Sequence, residues 1–545
     1  MTLPERTIYA IKHNFPALLL CAAALAVFFP ALLNGFVDWD DSQYVVLNHA
    51  LRGGWREVFT FFPGYYHPLT ILTYKAEFSL FGLTPLPYHF TNLALHAACG
   101  VSVFYFFAAL GARPWSAFLG ALLFIVHPVH VEPVAWISGR KELLWALFSF
   151  WSLTSYLKFL DGRGRKFIGW SLLFFLLAAL SKPAALVLPF VILLLDYYRG
   201  RSFSTRLLAE KLPYLALALL LFALSSSPSG FLLGGGGAFS FAGAAAADIQ
   251  SAFFYLGKLA VPASLSALYP PVRLFFRPAW YLLAALFAAA LPAWAALTEV
   301  RARENFSGAG ALRPGWRKKL FFAMLFSLVT AFPGLIISPP ADRYAYVPAA
   351  GLFFLYGELV FWLYGRARSR MPTRGAGARF SSAALVLLVT AHFLMLALAS
   401  FQRTAVWKDS LTLWNDVAAK DTLDPTAYYG RGNAYAERGL YAPALADLNR
   451  CLELDPSRWR ALSNRGRIFT EMKNTDRAVV DYNAAIALNP SSPQLFLNRG
   501  NAYFIGRNYS LAVKDYDWAL ELAPGFSQAA ENRHTAQAAS RQQNK

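Results

Sequence analysis

Two adjacent carboxylates, Asp40 and Asp41, stand in the stretch "NGFVDWDDSQYV" (residues 34–45), directly after the nearly uncharged run "FPALLLCAAALAVFFPALLN". A carboxylate within hydrogen-bond reach of a hydroxyl can take its proton as the oxygen attacks. A neighbouring carboxylate can orient either reactant, and adjacency alone does not say which of the two is the base. The plainer alternative is that both cap local helices or solvate a loop, as Asp38 is expected to do. Cations that could meet a departing anion are Arg140 and Lys141 in "ISGRKE", Lys182 in "SKPA" and Arg343 in "PPADRYAYVP". A guanidinium offers a planar fork suited to phosphate oxygens, and a fixed cation stabilises charge growing on a leaving group. Snorkelling at a helix end is the plainer account of each. His67 in "YYHPLT", with His127, His130 and Glu132 in "HPVHVEP", adds imidazoles and a further carboxylate. Such ligands suit several divalent ions. Yet Pro128 and Pro133 interrupt regular helix, and hydrogen bonding in a polar cavity explains these residues as well; a metal site is an option, not the favoured one.

These residues need a frame. The chain has 545 residues, 57% hydrophobic and only 15% charged. Long apolar runs fill 15–401, while 402–545 is polar, so a membrane domain (1–401) precedes a soluble one. The net charge of +19 sits largely in short loops between apolar runs, which reflects membrane orientation and not a nucleic-acid partner. The three cysteines lie far apart and form no evident disulfide framework. The first apolar run lacks a convincing cleavage site and reads as a retained anchor. Candidate spans are 15–34, 87–111, 115–134, 141–159, 166–181, 183–198, 211–227, 278–298, 319–338, 345–365 and 381–401, about eleven in all. Basic loops at 158–166, 199–211, 301–319 and 366–379 are expected in the cytoplasm. That fixes a cytoplasmic amino end and places the first outer loop, 35–86, outside. Residues 249–269 should lie on or dip into the outer face, and an odd span count sends the carboxyl end outside. In "WREVFTFF", Trp55, Val58, Phe59 and Phe62 share one helical face, which suits a helix lying in the interface.

Residues 425–524 repeat themselves. Gly432, Gly466 and Gly500 are 34 apart, as are Ala444, Ala478 and Ala512, then Asp447, Asp481 and Asp515, then Pro456, Pro490 and Pro524. That period, with small residues at helix contacts and a closing Pro, is the tetratricopeptide (TPR) signature. Three units approach the minimum stable stack. They follow a connecting segment (402–424) and precede a cap or tail (525–545) whose end, "HTAQAASRQQNK", is expected to fray. Such stacks hold peptide segments in a groove or serve as docking surfaces.

The blocks "FVDWDDSQYV", "HPLTILTY", "FGLTPLPYHFTNLALH", "HPVHVEPVAWISGRKELL", "SKPAALVLPFVILLLDYY", "DRYAYVP" and "RTAVWKDSLTLW" occur in this order before the repeats. Together they resemble the membrane-integral, TPR-bearing O-mannosyltransferases of animals, and more closely the bacterial relatives of that family. The resemblance implies an all-α fold: a polytopic GT-C-like membrane helix bundle followed by a TPR α-solenoid. It implies transfer of a sugar from a polyprenyl-phosphate-linked donor to an extracytoplasmic protein or peptide acceptor held by the TPR groove. It also implies a bacterial cytoplasmic membrane as location, with Asp40-Asp41 matching the acidic pair typical of the first outer loop. Three repeats are fewer than the animal enzymes carry, which leaves the acceptor and the sugar open. A glycan-polymer ligase of the same class and a non-enzymatic TPR platform for envelope partners are the alternatives.

Overall fold

The computed structural model describes residues 3–59, 66–202, 204–225, 241–269, 315–335, 340–369 and 376–543. Every regular element among them is helical. The chain divides into two compact units, Met1–Asp409 and Ser410–Lys545.

Among the described residues of the first unit, five helices are long and apolar enough to cross a membrane: Phe15–Leu33, Pro85–Ala109, Ile137–Leu160, Thr205–Leu224 and Ser382–Trp407. A sixth candidate is the pair Pro114–Val126 and Pro128–Ala135, bent by 54°. Pro128 causes the bend, because its ring removes an N–H from the ladder and clashes with the preceding turn. Lys166–Ser181 and Pro183–Tyr198 are apolar but shorter. Two further expected spans correspond to the helices Trp316–Leu335 and Ala349–Ser369. The span expected at 278–298 lies outside the described residues, so eleven is not the number reached here.

Small residues set the closest packing. A Cβ on Gly357 would lie 2.1 Å from Ser116 O, and one on Gly120 would lie 2.6 Å from Phe353 O. The helices Pro114–Val126 and Ala349–Ser369 therefore touch backbone to backbone, as small residues allow inside a membrane.

The segment after the first helix forms its own small core, in which Tyr44, Val45, Leu51, Val58, Ile71, Tyr74 and Tyr88 pack with Ile137. Two details here differ from expectation. Residues Trp55–Phe59 make a 3-10 turn rather than an α-helix, with Val58 buried and Trp55 and Phe59 exposed. Pro68–Phe81 is a helix that the apolar pattern did not reveal, because its buried face includes Lys75 and Glu77. Lys75 Nζ caps the preceding short helix by donating to Ala50 O (2.8 Å) and Gly53 O (2.7 Å).

The second unit is a helical stack that starts earlier than the repeats suggest. Helix Ser410–Lys420, within the expected connector, supplies Trp414, which fills the space above Gly430. Three paired units follow, ending at Leu522. The final segment does not fray: Ser527–Gln543 is helical and buries Ala529 and Ala536. Inside each unit an arginine grips the periodic aspartate with both arms. Arg431 holds Asp447 (2.7 and 2.8 Å), Arg465 holds Asp481 (2.8 and 2.6 Å), and Arg499 holds Asp515 (2.8 and 2.7 Å). The same guanidinium reaches the preceding unit, from Arg465 to Asn449 and from Arg499 to Asn483, each at 2.7 Å. Units are thus tied as well as packed.

Candidate active site

The two adjacent aspartates have different surroundings. Asp41 is fully buried. Its Oδ2 accepts from Val37 N (3.0 Å), and its Oδ1 accepts from Ser138 N (2.9 Å) and Ser138 Oγ (2.5 Å). It staples the first loop to the turn before helix Arg140–Leu160. Burial pushes its carboxyl up to about 6; the hydrogen bonds from Ser138 and Val37 oppose the rise, and Asp40 adds to it. Asp40 instead keeps a third of its side chain exposed and meets Lys141 Nζ at 3.3 Å. Asp38 accepts from Ser42 Oγ (3.1 Å), and burial raises its pKa.

Three of the expected cations share two aromatic faces, and one of them, Lys141, meets Asp40. The Lys141 ammonium lies over Tyr44 (4.4 Å) and Trp136 (5.2 Å). The Arg343 guanidinium lies over the same Trp136 (5.4 Å) and over Tyr344 (4.8 Å). Lys182 lies over Tyr344 as well (5.1 Å). Each also has a carboxylate. Lys141 has Asp40, Lys182 has Glu142, and Arg343 binds Glu132 through Nη1 (2.5 Å) and its backbone N (3.0 Å). Aromatic faces hold partly desolvated cations by their quadrupoles, so the charges are fixed in place rather than fully hydrated. Glu142 stands in the first turn of its helix, where the helix dipole favours a negative charge.

Arg343 is braced from its other side. Its neighbour Asp342 is buried and accepts from Tyr269 OH at 2.7 Å, while Ala341 N donates to Tyr255 OH at 3.2 Å. Burial, then the nearby Glu132, pushes Asp342 up to about 7.

Arg140 does not join this group, contrary to expectation. It is fully buried, with its guanidinium 4.5 Å from the Tyr74 ring. It donates to Glu77 Oε2 (2.5 Å), Thr73 Oγ1 (3.2 Å), Asn92 Oδ1 (2.8 Å) and Tyr88 O (2.9 Å). Its work is to lock helix Pro68–Phe81 onto the bundle. Successive residues on a helix point about 100° apart, so Arg140 and Lys141 serve different neighbourhoods.

The four residues with metal-ligand chemistry do not converge either. His67 stacks on Tyr44 (6.3 Å), and burial followed by Lys141 and Lys182 holds its pKa well below the usual histidine value. His127 accepts from Val129 N at Nδ1 and donates from Nε2 to Leu259 O (3.1 Å). His130 donates from Nδ1 to Phe124 O (2.7 Å). Glu132 is taken by Arg343. Among the described residues no three His, Cys, Asp or Glu side chains form a group that could hold a metal ion.

Trp136, Tyr44, Tyr344, Ser138 and Glu142 complete the site and were not singled out from the sequence. Their signal was proximity: Tyr344 follows Arg343, and Trp136 and Ser138 just precede Arg140-Lys141.

The repeat unit holds a cavity of about 340 Å³. Asn498, Asn501, Asn532, Tyr482, Tyr516 and Phe504 are among its lining residues. Amides carry both donors and acceptors, matching the groups of a peptide backbone.

Comparison with known proteins agrees with the repeat reading of the second unit. Residues 425–458 match the tetratricopeptide repeat family, and residues 466–506 match a TPR repeat family. Protein O-mannosyl-transferase TMTC3 of Mus musculus is 40% identical over 93 residues, 17% of this chain and 10% of that protein. Protein O-mannosyl-transferase TMTC4 of Homo sapiens is 32% identical over 176 residues, 27% of this chain and 24% of that protein. Protein O-mannosyl-transferase Tmtc2 of Drosophila melanogaster is 28% identical over 209 residues, 35% of this chain and 22% of that protein. The chain thus spans at most about a quarter of the length of these relatives. Among solved structures, the first TPR of Spaghetti (RPAP3) bound to an HSP90 peptide is 28% identical over 22% of this chain and 94% of that chain, with a TM-score of 0.21.

Proposed function

We propose, on the premise that the chain is a TMTC-like, repeat-bearing relative of the protein O-mannosyl-transferases, that it is a membrane glycosyltransferase. It moves a sugar from a polyprenyl-phosphate-linked donor to a hydroxyl of an extracytoplasmic protein or peptide. The observation that carries this reading is one accessible carboxylate, Asp40, paired with Lys141, which shares the Trp136 face with Arg343, while Arg343 shares the Tyr344 face with Lys182.

The acceptor oxygen bonds to the anomeric carbon of the sugar, and its proton passes to Asp40. The bond from that carbon to the phosphate oxygen breaks, and the electron pair leaves with the polyprenyl phosphate. The three cations balance the charge that develops there. Asp41 supports the step without touching reactants, because its three hydrogen bonds fix the loop that presents Asp40. The amide-lined cavity of the repeats suits an extended acceptor segment. On this reading the site faces the outer side of a bacterial cytoplasmic membrane; the positive-inside rule applied to the basic loops supports that side for the first loop and the repeats.

The test is Asp40→Asn in the full chain, with membrane insertion verified and envelope proteins examined by mass spectrometry. Glycan addition should fall by roughly 10²- to 10⁴-fold, the usual worth of a positioned base. Unchanged glycosylation would favour a scaffold without catalysis. The added mass separates transfer of one sugar from transfer of a preassembled polymer.

A further inference from the structure

We infer that Trp407, in the segment leading from the last apolar helix toward the repeats, is a positioning residue for the cations of this site. The inference rests on the transferase reading above. Residues 402–424 read in the sequence as a connector, but the first part of that connector is built into the site. Helix Ala376–Thr404 ends in a 3-10 turn, Ala405–Trp407. Trp407 is 1% exposed, and its indole stacks on Trp136 with centroids 5.8 Å apart and planes 26° apart. Trp136 is itself the surface over which Lys141 and Arg343 lie, at 5.2 and 5.4 Å. Tilting that ring moves both cations relative to the phosphate they receive.

The same short segment holds the carboxylate side. Lys408 O accepts from Gly35 N at 2.8 Å, and Thr404 O accepts from Asn34 Nδ2 at 3.3 Å. Both contacts fall just before the Asp40-Asp41 pair. Residues 404–408 therefore fix the base-bearing loop and the cation-bearing indole together, which a passive tether has no need to do. Trp136 Nε1 and Trp407 Nε1 find no hydrogen-bond partner among the described residues. A buried unpaired donor is costly, so Phe at 407 would keep a ring on Trp136 and remove one such cost.

The experiment compares wild type, Trp407→Phe and Trp407→Leu as full chains in nanodiscs. Equilibrium binding of a radiolabelled polyprenyl monophosphate is measured, with the uncharged polyprenol as control. Trp407→Leu should bind the phosphate about tenfold more weakly, the scale of losing well-placed cation–aromatic contacts. Its polyprenol binding and its KM for acceptor should stay at wild-type values. Trp407→Phe should restore phosphate binding to within about twofold of wild type. Equal phosphate affinity in the Leu variant and wild type would overturn the inference. So would equal losses for phosphate and polyprenol, which would report general loosening. A wild-type chain that does not prefer phosphate over polyprenol would instead refute the transferase reading itself, and this inference with it.

Discussion

Replacing Asp41 by asparagine should change stability in a way that depends on pH. Asp41 is fully buried, and its carboxyl is pushed up to about 6 from the ordinary 3.8, chiefly by burial. Because the folded value is the higher one, the folded chain binds this proton more tightly than the unfolded chain. The stabilisation that follows is complete below about pH 4 and is lost as pH rises through about 6. A rise of about two units corresponds to about 3 kcal/mol. Asparagine does not titrate. One of its two groups is an N–H₂, which must face either Val37 N–H or the Ser138 donors, so about 1–3 kcal/mol of hydrogen bonding is forfeited at every pH. Above pH 7 the relieved charge offsets that loss and the variant should melt near wild type. At pH 4.5 the folded wild-type carboxyl is still neutral and about two-thirds of that stabilisation remains, so relative to wild type the variant should be about 2 kcal/mol worse there than above pH 7. Thermal unfolding of both proteins in the same detergent at pH 4.5, 6, 7 and 8 measures this. A stability difference that stays constant across the series would refute the claim that Asp41 is a buried, strained brace.

Three further outcomes follow from the geometry. Arg343→Lys keeps the charge beside Glu132 but loses the planar stack on Trp136 and Tyr344, so KM for the lipid donor should rise about tenfold in initial-rate assays while KM for acceptor holds. Tyr269→Phe removes the donor to Asp342, whose carboxyl is pushed up to about 7; the ion forms above that pH and needs the bond more, so the loss of about 1–2 kcal/mol, read by melting, should be larger at pH 8 than at pH 6. Gly500→Ala places a Cβ 2.7 Å from Tyr516 Cε1, whereas the same change at Gly466 meets Tyr482 at 3.1 Å, so Gly500→Ala should open the repeat unit to protease sooner in the full chain, with a cost of about 1–3 kcal/mol.

Much of this was legible from residue types. An acidic pair after an apolar run stood out because charge is expensive there. A period of 34 exposed the repeats, and the arginine ladder at 431, 465 and 499 was visible at the same step. Asn415 sits 34 before Asn449, a sign that the stack begins before 425. The division of labour between Asp40 and Asp41 was not legible, because it depends on Ser138, 97 positions away. Arg140 misled because its burial among Tyr74, Tyr88 and Glu77 is a tertiary fact; sequence shows only a cation at a helix start. Helix Pro68–Phe81 was hidden because buried Lys75 and Glu77 break the apolar stripe that marks such helices.

The pairing of every cation with a carboxylate gives the proposed reaction an order. Lys141 is held by Asp40, Lys182 by Glu142 and Arg343 by Glu132, so donor phosphate enters by exchange rather than into a vacant positive pocket. Glu132 and Glu142 are buried to within a few per cent, whereas Asp40 is a third exposed. The Lys141–Asp40 contact is also the longest of the three, at 3.3 Å, and a partly exposed ion pair is worth little. Phosphate should therefore displace Asp40 first, which frees Asp40 Oδ2 to accept from the hydroxyl that attacks. Donor then binds before the acceptor hydroxyl can be used. A short acceptor analogue that lacks the hydroxyl and engages only the membrane unit should inhibit uncompetitively against donor. Lys141→Met, which leaves Asp40 without its cation from the start, should let the same analogue bind without donor. Competitive inhibition against donor in the wild-type protein would show that the two sites do not exchange partners in this way.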